Sequence, residues 1–242
     1  MVKNVSDAHF SYSGAELPVF AEAKNWRQYW QSQVAHFIKG RVLEVGAGIG
    51  STSFSLHTPD VLRWVALEPD ATLFATLQGN VPGDDAARYD FCKGTLDDID
   101  PNEQFDTILY IDVLEHILDD RAELLHVSEY LDKDGHLIVL APAHQFLYSD
   151  FDKAIGHYRR YSIKSISAIA PVNMRITQYK YLDAVGMLLS IANKFFLHAS
   201  NPTHAQIQFW DSRIIPISKI VDRICNFLIG KSLIAVFEKH KG

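Results

Sequence analysis

Cys92 and Cys225 are the only cysteines in 242 residues. They are far apart and form no C-x-x-C, so neither a disulfide framework nor a thiolate metal centre is expected. A reducing, cytoplasmic setting fits that usage best. Basic clusters are missing as well. Net charge is −6, and no long Lys/Arg run exists to neutralise phosphates, which excludes a sequence-independent grip on nucleic acid. No stretch of ~18 uncharged apolar residues occurs. The most apolar segment, 182–197, is interrupted by Asp183 and Lys194, so stable membrane insertion is not expected. The opening MVKNVSDAHF is polar and lacks the apolar core of a signal segment. No acidic cluster marks a magnesium site, and no metal is expected. Repeats, low-complexity tracts and linkers are absent too. What remains is 48% hydrophobic, enough to bury the core of one α/β domain with a small lid.

Periodicity divides the chain. Residues 1–20 show little pattern and are expected to be flexible. Trp26, Tyr29, Trp30, Val34 and Phe37 form a helical stripe over 25–39. Strands follow at 41–45, 62–67, 87–92, 105–111 and 136–141. Helices are expected at 52–57, 71–78 and 114–130 between them, with a turn at Lys133-Asp134-Gly135. This alternation predicts a doubly wound, mostly parallel sheet. Beyond Pro142 the pattern breaks. Residues 142–161 are polar and aromatic without a period, and then helix (162–170), strand (172–182), helix (184–198), amphipathic helix (214–229) and strand (233–238) follow. One domain is expected: a helical cap over 1–40, a ligand-binding core over 41–141, a lid and sixth strand over 142–200, and an amphipathic helix with the last strand over 201–242.

The motif with most chemistry is Val42-Leu43-Glu44-Val45-Gly46-Ala47-Gly48-Ile49-Gly50. A buried strand ends in glycines, which let a ligand approach the backbone and permit tight turns. Such a strand–turn–helix unit grips nucleotide-like cofactors. The spacing is G-x-G-x-G; Ser51 stands where a dinucleotide fingerprint wants its third glycine. Glu68, ~20 residues on at a strand end, is placed for two ribose hydroxyls; its plainer role is a solvated strand-end acid. Gly94-Thr95-Leu96-Asp97 can close on an adenine ring or be an ordinary acidic loop. Phe105 to His116 begins as an apolar strand and ends in polar groups at the sheet's carboxyl edge, where α/β proteins bind ligands.

LEVGAGIGS, ALEPD, FDTILYIDVLEHI and LDKDGHLIVLAPA, in that order and spacing, resemble the class I S-adenosylmethionine-dependent methyltransferases. The resemblance covers about residues 41–141, and SLIAVFEK also fits. It implies a seven-stranded Rossmann-like sheet with the last strand inserted antiparallel. It also implies S-adenosyl-L-methionine as cofactor and S-adenosyl-L-homocysteine as product. By the same resemblance Glu44, Gly46, Gly48 and Gly50 cradle the methionine part, Glu68 holds the ribose, Thr95 and Leu96 flank the adenine, and Ala47 and Pro69 are further cofactor contacts. Asp112 and Val113 then sit beside the sulfonium, with His116 one turn on. The place that carries Asn/Asp-Pro-Pro-aromatic in enzymes acting on base amino nitrogens reads Ile111-Asp112-Val113-Leu114, so that class is disfavoured.

The acceptor side is expected over 144–161, rich in His, Tyr, Asp and Arg. An irregular segment of that length after a strand's carboxyl end is usually functional. His144 and His157, with His116 third, are candidate general bases, or else hydrogen-bonded or surface histidines. Tyr148, Tyr158, Arg159, Arg160 and Tyr161 are candidate acceptor contacts. The arginines can clamp an anionic acceptor or pin the lid through Asp150 or Asp152. Tyr29 either closes over the cofactor or packs the first helix. The stripe Ile214, Ile217, Ile220, Val221, Ile224, Phe227 and Leu228, with Phe195, Phe196, Phe209 and Trp210, is expected as core or a homodimer face, with peripheral membrane contact as the other option. The chain is thus expected to methylate an oxygen or nitrogen of a small-molecule or lipid- or sugar-linked acceptor, as monomer or homodimer. A catalytically silent cofactor-binding module and a nicotinamide-dependent oxidoreductase are the rivals.

Overall fold

The computed structural model describes residues 20–56, 58–83, 86–194 and 203–240. Its seven strands are β1 Gly40–Val45, β2 Val61–Glu68, β3 Tyr89–Lys93, β4 Phe105–Ile111, β5 Leu131–Pro142, β6 Met174–Leu182 and β7 Ser232–Lys239. They form one sheet in the order β3-β2-β1-β4-β5-β7-β6. Neighbours are parallel from β3 to β5, and β7 runs antiparallel between β5 and β6. This is the expected doubly wound sheet of a Rossmann-like methyltransferase fold, with its last strand inserted antiparallel.

The helices are α1 Lys24–Val34, α2 Ala71–Gly79, α3 Asp120–Tyr130, α4 Asp150–Ala154, α5 Ile163–Ile169, α6 Ala184–Ala192, α7 His204–Phe209 and α8 Ile215–Ile224. Strand alternation sorts the core into two layers. Leu43, Val65, Ile108, Val139 and Phe237 face α3 and α5, through Leu124, Val127 and Ile166. Val42, Trp64, Leu109, Ile138 and Val236 face the opposite way, toward Trp26, Tyr29 and Trp30 of α1 and Ile215 of α8. Residues buried on both faces of a central sheet explain the near-continuous apolar runs in β1, β4 and β5.

Several expected elements differ. Residues 51–55 form turns and not a helix. Their hydroxyls compete for the backbone: Ser55 donates to the Ser51 carbonyl at 2.6 Å, and Ser53 donates to Glu44. The expected helix over 114–130 splits into a 3₁₀ turn, Leu114–His116, and α3. Asp119 caps α3, and the carbonyls of Ile117 and Leu118 accept from Arg159. Lys133–Gly135 is a bulge inside β5, with Phe105 opposite Leu131 and Thr107 opposite His136. The lid is ordered too, holding a 3₁₀ turn at Gln145–Leu147 and α4 behind a Ser149–Asp152 capping box. The expectations for residues 1–19, Phe195 and Phe196 lie outside the described residues.

The strand order places the site. From β1 the chain runs outward to β2 and β3 and then returns to β4 on the other side of β1. The carboxyl ends of β1 and β4 therefore diverge at the switch point where such sheets bind ligands. Val45 pairs with Tyr110 and with Leu67, so Gly46, Glu68 and Asp112 leave the sheet side by side.

Candidate functional site

The turn after β1 needs its glycines for different reasons. Gly46, Gly48 and Gly50 all have positive φ, between 59° and 85°. A Cβ on Gly46 would lie 2.6 Å from Val113, and one on Gly50 would strike Phe54 and Leu77. Those two glycines let the turn pack tightly. At Gly48 nothing lies within 4 Å of the Cβ position, so that face of the turn is open to a ligand.

Glu68 holds this turn in place. Its Oε2 accepts from the Gly48 N–H at 2.8 Å and its Oε1 from the Asp70 N–H at 2.9 Å. Burial pushes its carboxyl up, and the two amides pull it back. Each oxygen keeps one lone pair for a further donor, so the carboxylate can brace the turn and still receive ribose hydroxyls. Pro69 carries the chain from Glu68 to Asp70, which caps α2 through the Thr72 and Leu73 amides.

Glu44 lies beneath the turn. It accepts from Ser53 and from Trp64 Nε1 at 3.0 Å, and burial pushes its carboxyl up to about 7. Its Oε2 takes both bonds and braces the loop from below, and the buried Ala47 packs against the same core. Leu96 lies in the core beside Ile99 and Tyr130, so its side chain is not an open wall for an aromatic ring. Thr95 caps the 3₁₀ turn over it, with Asp98 accepting from its amide. Tyr29 is buried and its hydroxyl donates to Asp222 at 2.7 Å. That side chain pins α1 to α8 and is not presented to a ligand.

Asp112 follows β4 with φ of 53°, its amide donating to the Leu140 carbonyl at 2.8 Å. The residue is exposed, yet neighbouring protein displaces part of the water around its carboxyl. That enclosure pushes its carboxyl up to about 6 against the pull of His157 and Lys231. Val113 seals its flank by packing on Gly46.

Beside Asp112 the lid meets the turn after β4. The rings of His116 and His157 are edge to face, with centroids 4.6 Å apart. Burial, then His157, push His116 down to about 4. His157 Nδ1 lies 2.9 Å from Asp152, and its Nε2 lies 3.7 Å from Glu115. Arg160 grips both oxygens of Asp152, each at 2.9 Å, and Ser149 donates to it twice. Burial opposes charge on Asp152, but these donors outweigh it and hold the carboxyl well below its usual range. Of the three candidate bases, His157 and the third-ranked His116 are thus brought together. His144 stands apart from that pair, stacked on Tyr181 at 4.8 Å.

The remaining lid residues are mostly tied to the protein itself, and of the two roles expected for the arginines Arg160 takes the lid-pinning one, through Asp152. Tyr161 is 1% exposed and donates to Asp120 at 2.7 Å. Arg159 pairs with Asp120 at 2.6 Å and binds two backbone carbonyls. Arg160 is committed to Asp152, and the Tyr148 hydroxyl donates to the His157 carbonyl at 2.6 Å. Of the five expected acceptor contacts, Tyr158 alone is exposed at 51%, with Arg159 over its ring. The cations face internal acids because an unpaired buried charge is costly. Asp152 was expected as a partner of the arginines, whereas Glu115 and Asp120 were missed as members of this cluster. The Glu115-His116 dipeptide was the available signal.

A protein-family model described as a methyltransferase domain matches residues 43–137. Solved structures share the fold at low identity. A putative methyltransferase of Haloferax volcanii, in complex with the Trm112 methyltransferase activator, is 14% identical, with a TM-score of 0.63 over 92% of this chain and 93% of that one. The YcgJ protein of Bacillus subtilis is 17% identical, with a TM-score of 0.57 over 89% of this chain and 98% of that one. The N-methyltransferase NodS of Bradyrhizobium japonicum, in complex with S-adenosyl-L-homocysteine, is 12% identical, with a TM-score of 0.57 over 91% of this chain and 88% of that one.

Proposed function

From the methyltransferase domain matched over residues 43–137 and the shared fold, we propose that the chain is a class I S-adenosyl-L-methionine-dependent methyltransferase that methylates an oxygen or nitrogen of a small-molecule or lipid- or sugar-linked acceptor. The observation that carries this reading is the convergence of three features at the switch point: open space over Gly48, spare acceptor capacity on Glu68, and Asp112 just after β4. Bound there, S-adenosyl-L-methionine supplies a methyl group already activated by its sulfonium. The protein's part is to align the acceptor and exclude water. Gly46 to Gly50 and Glu68 hold the cofactor, with Pro69 and Thr95 bordering it and Asp112 and Val113 beside the reacting sulfur. The acceptor meets the polar cluster of Glu115, His116 and His157, where its proton is lost. Titration with S-adenosyl-L-homocysteine tests the cofactor half: binding by the native chain and its loss in Gly48→Val support the reading, and equal binding by both sinks it.

One surface favours a lipid-linked acceptor. On α8 and just beyond it, Ile217, Ile220, Ile224 and Leu228 are exposed, Ile224 by 79%; of the expected options, core, a homodimer face or a peripheral membrane contact, these four side chains do not take the first. Arg213 and Arg223 are exposed beside them. The two acids of this stretch point inward: Asp211 accepts from Asn25 and Trp26, and Asp222 from Tyr29 and two backbone amides. The outer face is therefore apolar and cationic on an acidic protein, which suits an anionic bilayer surface. No helix among the described residues is long and apolar enough to cross a membrane. Sedimentation with phosphatidylglycerol vesicles tests this. Binding absent from neutral vesicles supports the reading, and equal recovery with and without vesicles removes it.

A further inference from the structure

Glu115 is the one carboxylate among the described residues whose two oxygens are both buried without a hydrogen-bond partner. Its side chain is wholly enclosed, so its carboxyl can carry charge only where a cation stands beside it. His157 Nε2, 3.7 Å away, is too far for a hydrogen bond. The opposite ring nitrogen, Nδ1, meets Asp152, so Nε2 is the ligand atom the ring turns toward Glu115. Arg160 and Ser149 hold Asp152 so firmly that it stays a carboxylate. His116 is anchored to the Gly156 backbone. One ligand atom from each of Glu115, His116 and His157 lies within 4.8 Å of the others.

We propose that Glu115, His116 and His157 hold a divalent cation of the zinc–manganese class at the edge of the acceptor cleft. Two ligands about 2.1 Å from a metal can stand at most about 4.2 Å apart, so the Glu115–His157 spacing of 3.7 Å already fits. Small rotations bring His116 into range. Two imidazoles and a carboxylate select this class of metal over calcium or magnesium, whose ligands are mainly oxygens. Asp152 behind His157 is the carboxylate that orients a ligating histidine in known sites of this kind. Three protein ligands leave coordination positions open. With Asp112 three residues away, those positions suit an acceptor oxygen. A hydroxyl bound there loses its proton to water near neutral pH, which replaces a histidine base and points to an oxygen acceptor. This last step rests on the methyltransferase reading, whereas the cation site does not.

The test uses the full chain, stripped with EDTA, desalted and titrated calorimetrically with Zn²⁺ and with Mn²⁺. One site per chain is expected. Its affinity should fall at least about 100-fold in Glu115→Gln and in His116→Asn, and about 10–100-fold in Asp152→Asn. It should stay unchanged in His126→Gln, whose ring lies beside Asp97 near the surface. S-adenosyl-L-homocysteine is titrated alongside, and its retention in Glu115→Gln or His116→Asn shows that the variant folds. Absence of a cation site in the native chain, or equal affinity in the folded variants, overturns the proposal. A cation site in a chain that fails to bind S-adenosyl-L-homocysteine would instead remove the methyltransferase reading and leave the site standing.

Discussion

The backbone amide of Gly48 and the carboxylate of Glu68, twenty residues apart in sequence, meet at 2.8 Å across the ends of β1 and β2. The contact makes Glu68 a brace for the glycine turn in addition to the ribose-binding role proposed for it. Its removal should therefore weaken the cofactor more than loss of a ribose contact alone. Glu68→Ala is expected to weaken S-adenosyl-L-homocysteine by about 100-fold or more, at roughly 1.4 kcal/mol per factor of ten, and Glu68→Gln by less, because one amide acceptor survives. Calorimetry on both variants checks this, and equal losses would show that bracing does not matter.

Glu44 makes the protein sensitive to pH. Burial raises its carboxyl from the ordinary 4.5 to about 7. A raised folded-state value means that the folded chain binds the proton more tightly than the unfolded one. Its contribution is present below about 4.5 and is lost as pH rises toward 7. Glu44→Gln keeps an acceptor for Ser53 and Trp64 without the ionisation. The stability difference between the variant and the native chain should grow in the variant's favour from pH 5 to pH 8, by on the order of 2–3 kcal/mol. Urea unfolding across that range measures it; a difference independent of pH argues against an ionising Glu44.

The lid should depend on one acid. Asp152 joins Arg160, His157 and Ser149, so Asp152→Asn leaves a buried guanidinium half-paired. A loss of about 3 kcal/mol in unfolding free energy is expected. Because the native carboxyl is held low, its contribution persists above about pH 4 and fades only in acid. Denaturant midpoints at pH 7 and pH 3 should show the native chain converging on the variant in acid.

The exposed stripe on α8 separates binding from folding. Ile217→Glu and Ile220→Glu change exposed positions, so stability should move by no more than about 0.5 kcal/mol. Recovery with phosphatidylglycerol vesicles should drop at least tenfold. Unchanged vesicle recovery in the double variant would assign the stripe to another partner.

Much of this was legible in the chain. The strands were readable because central strands of a parallel sheet are continuously apolar, as Ile108 and Leu109 in β4 show. The glycine turn and Glu68 were readable because short-range spacing encodes them. The split at Ile117–Asp119 was not, because it arises when Arg159, forty residues away, takes the carbonyls a helix would use.

The same division holds for function. Local order and spacing in 41–141 gave a doubly wound sheet with a nucleotide-like site, and the resemblance carried by those motifs implied the fold and the cofactor, since a turn and the strand end beside it are specified within a few residues. The roles of the lid's charged residues were open, because an arginine that clamps a ligand and one that grips Asp152 look alike in one dimension. Packing resolved that choice. It spent Arg159, Arg160 and Tyr161 on internal acids, turned Asp211 and Asp222 inward, and left Glu115 buried without a donor. Which polar groups remain for chemistry depends on which partners the fold has already supplied, and those partners lie far away along the chain.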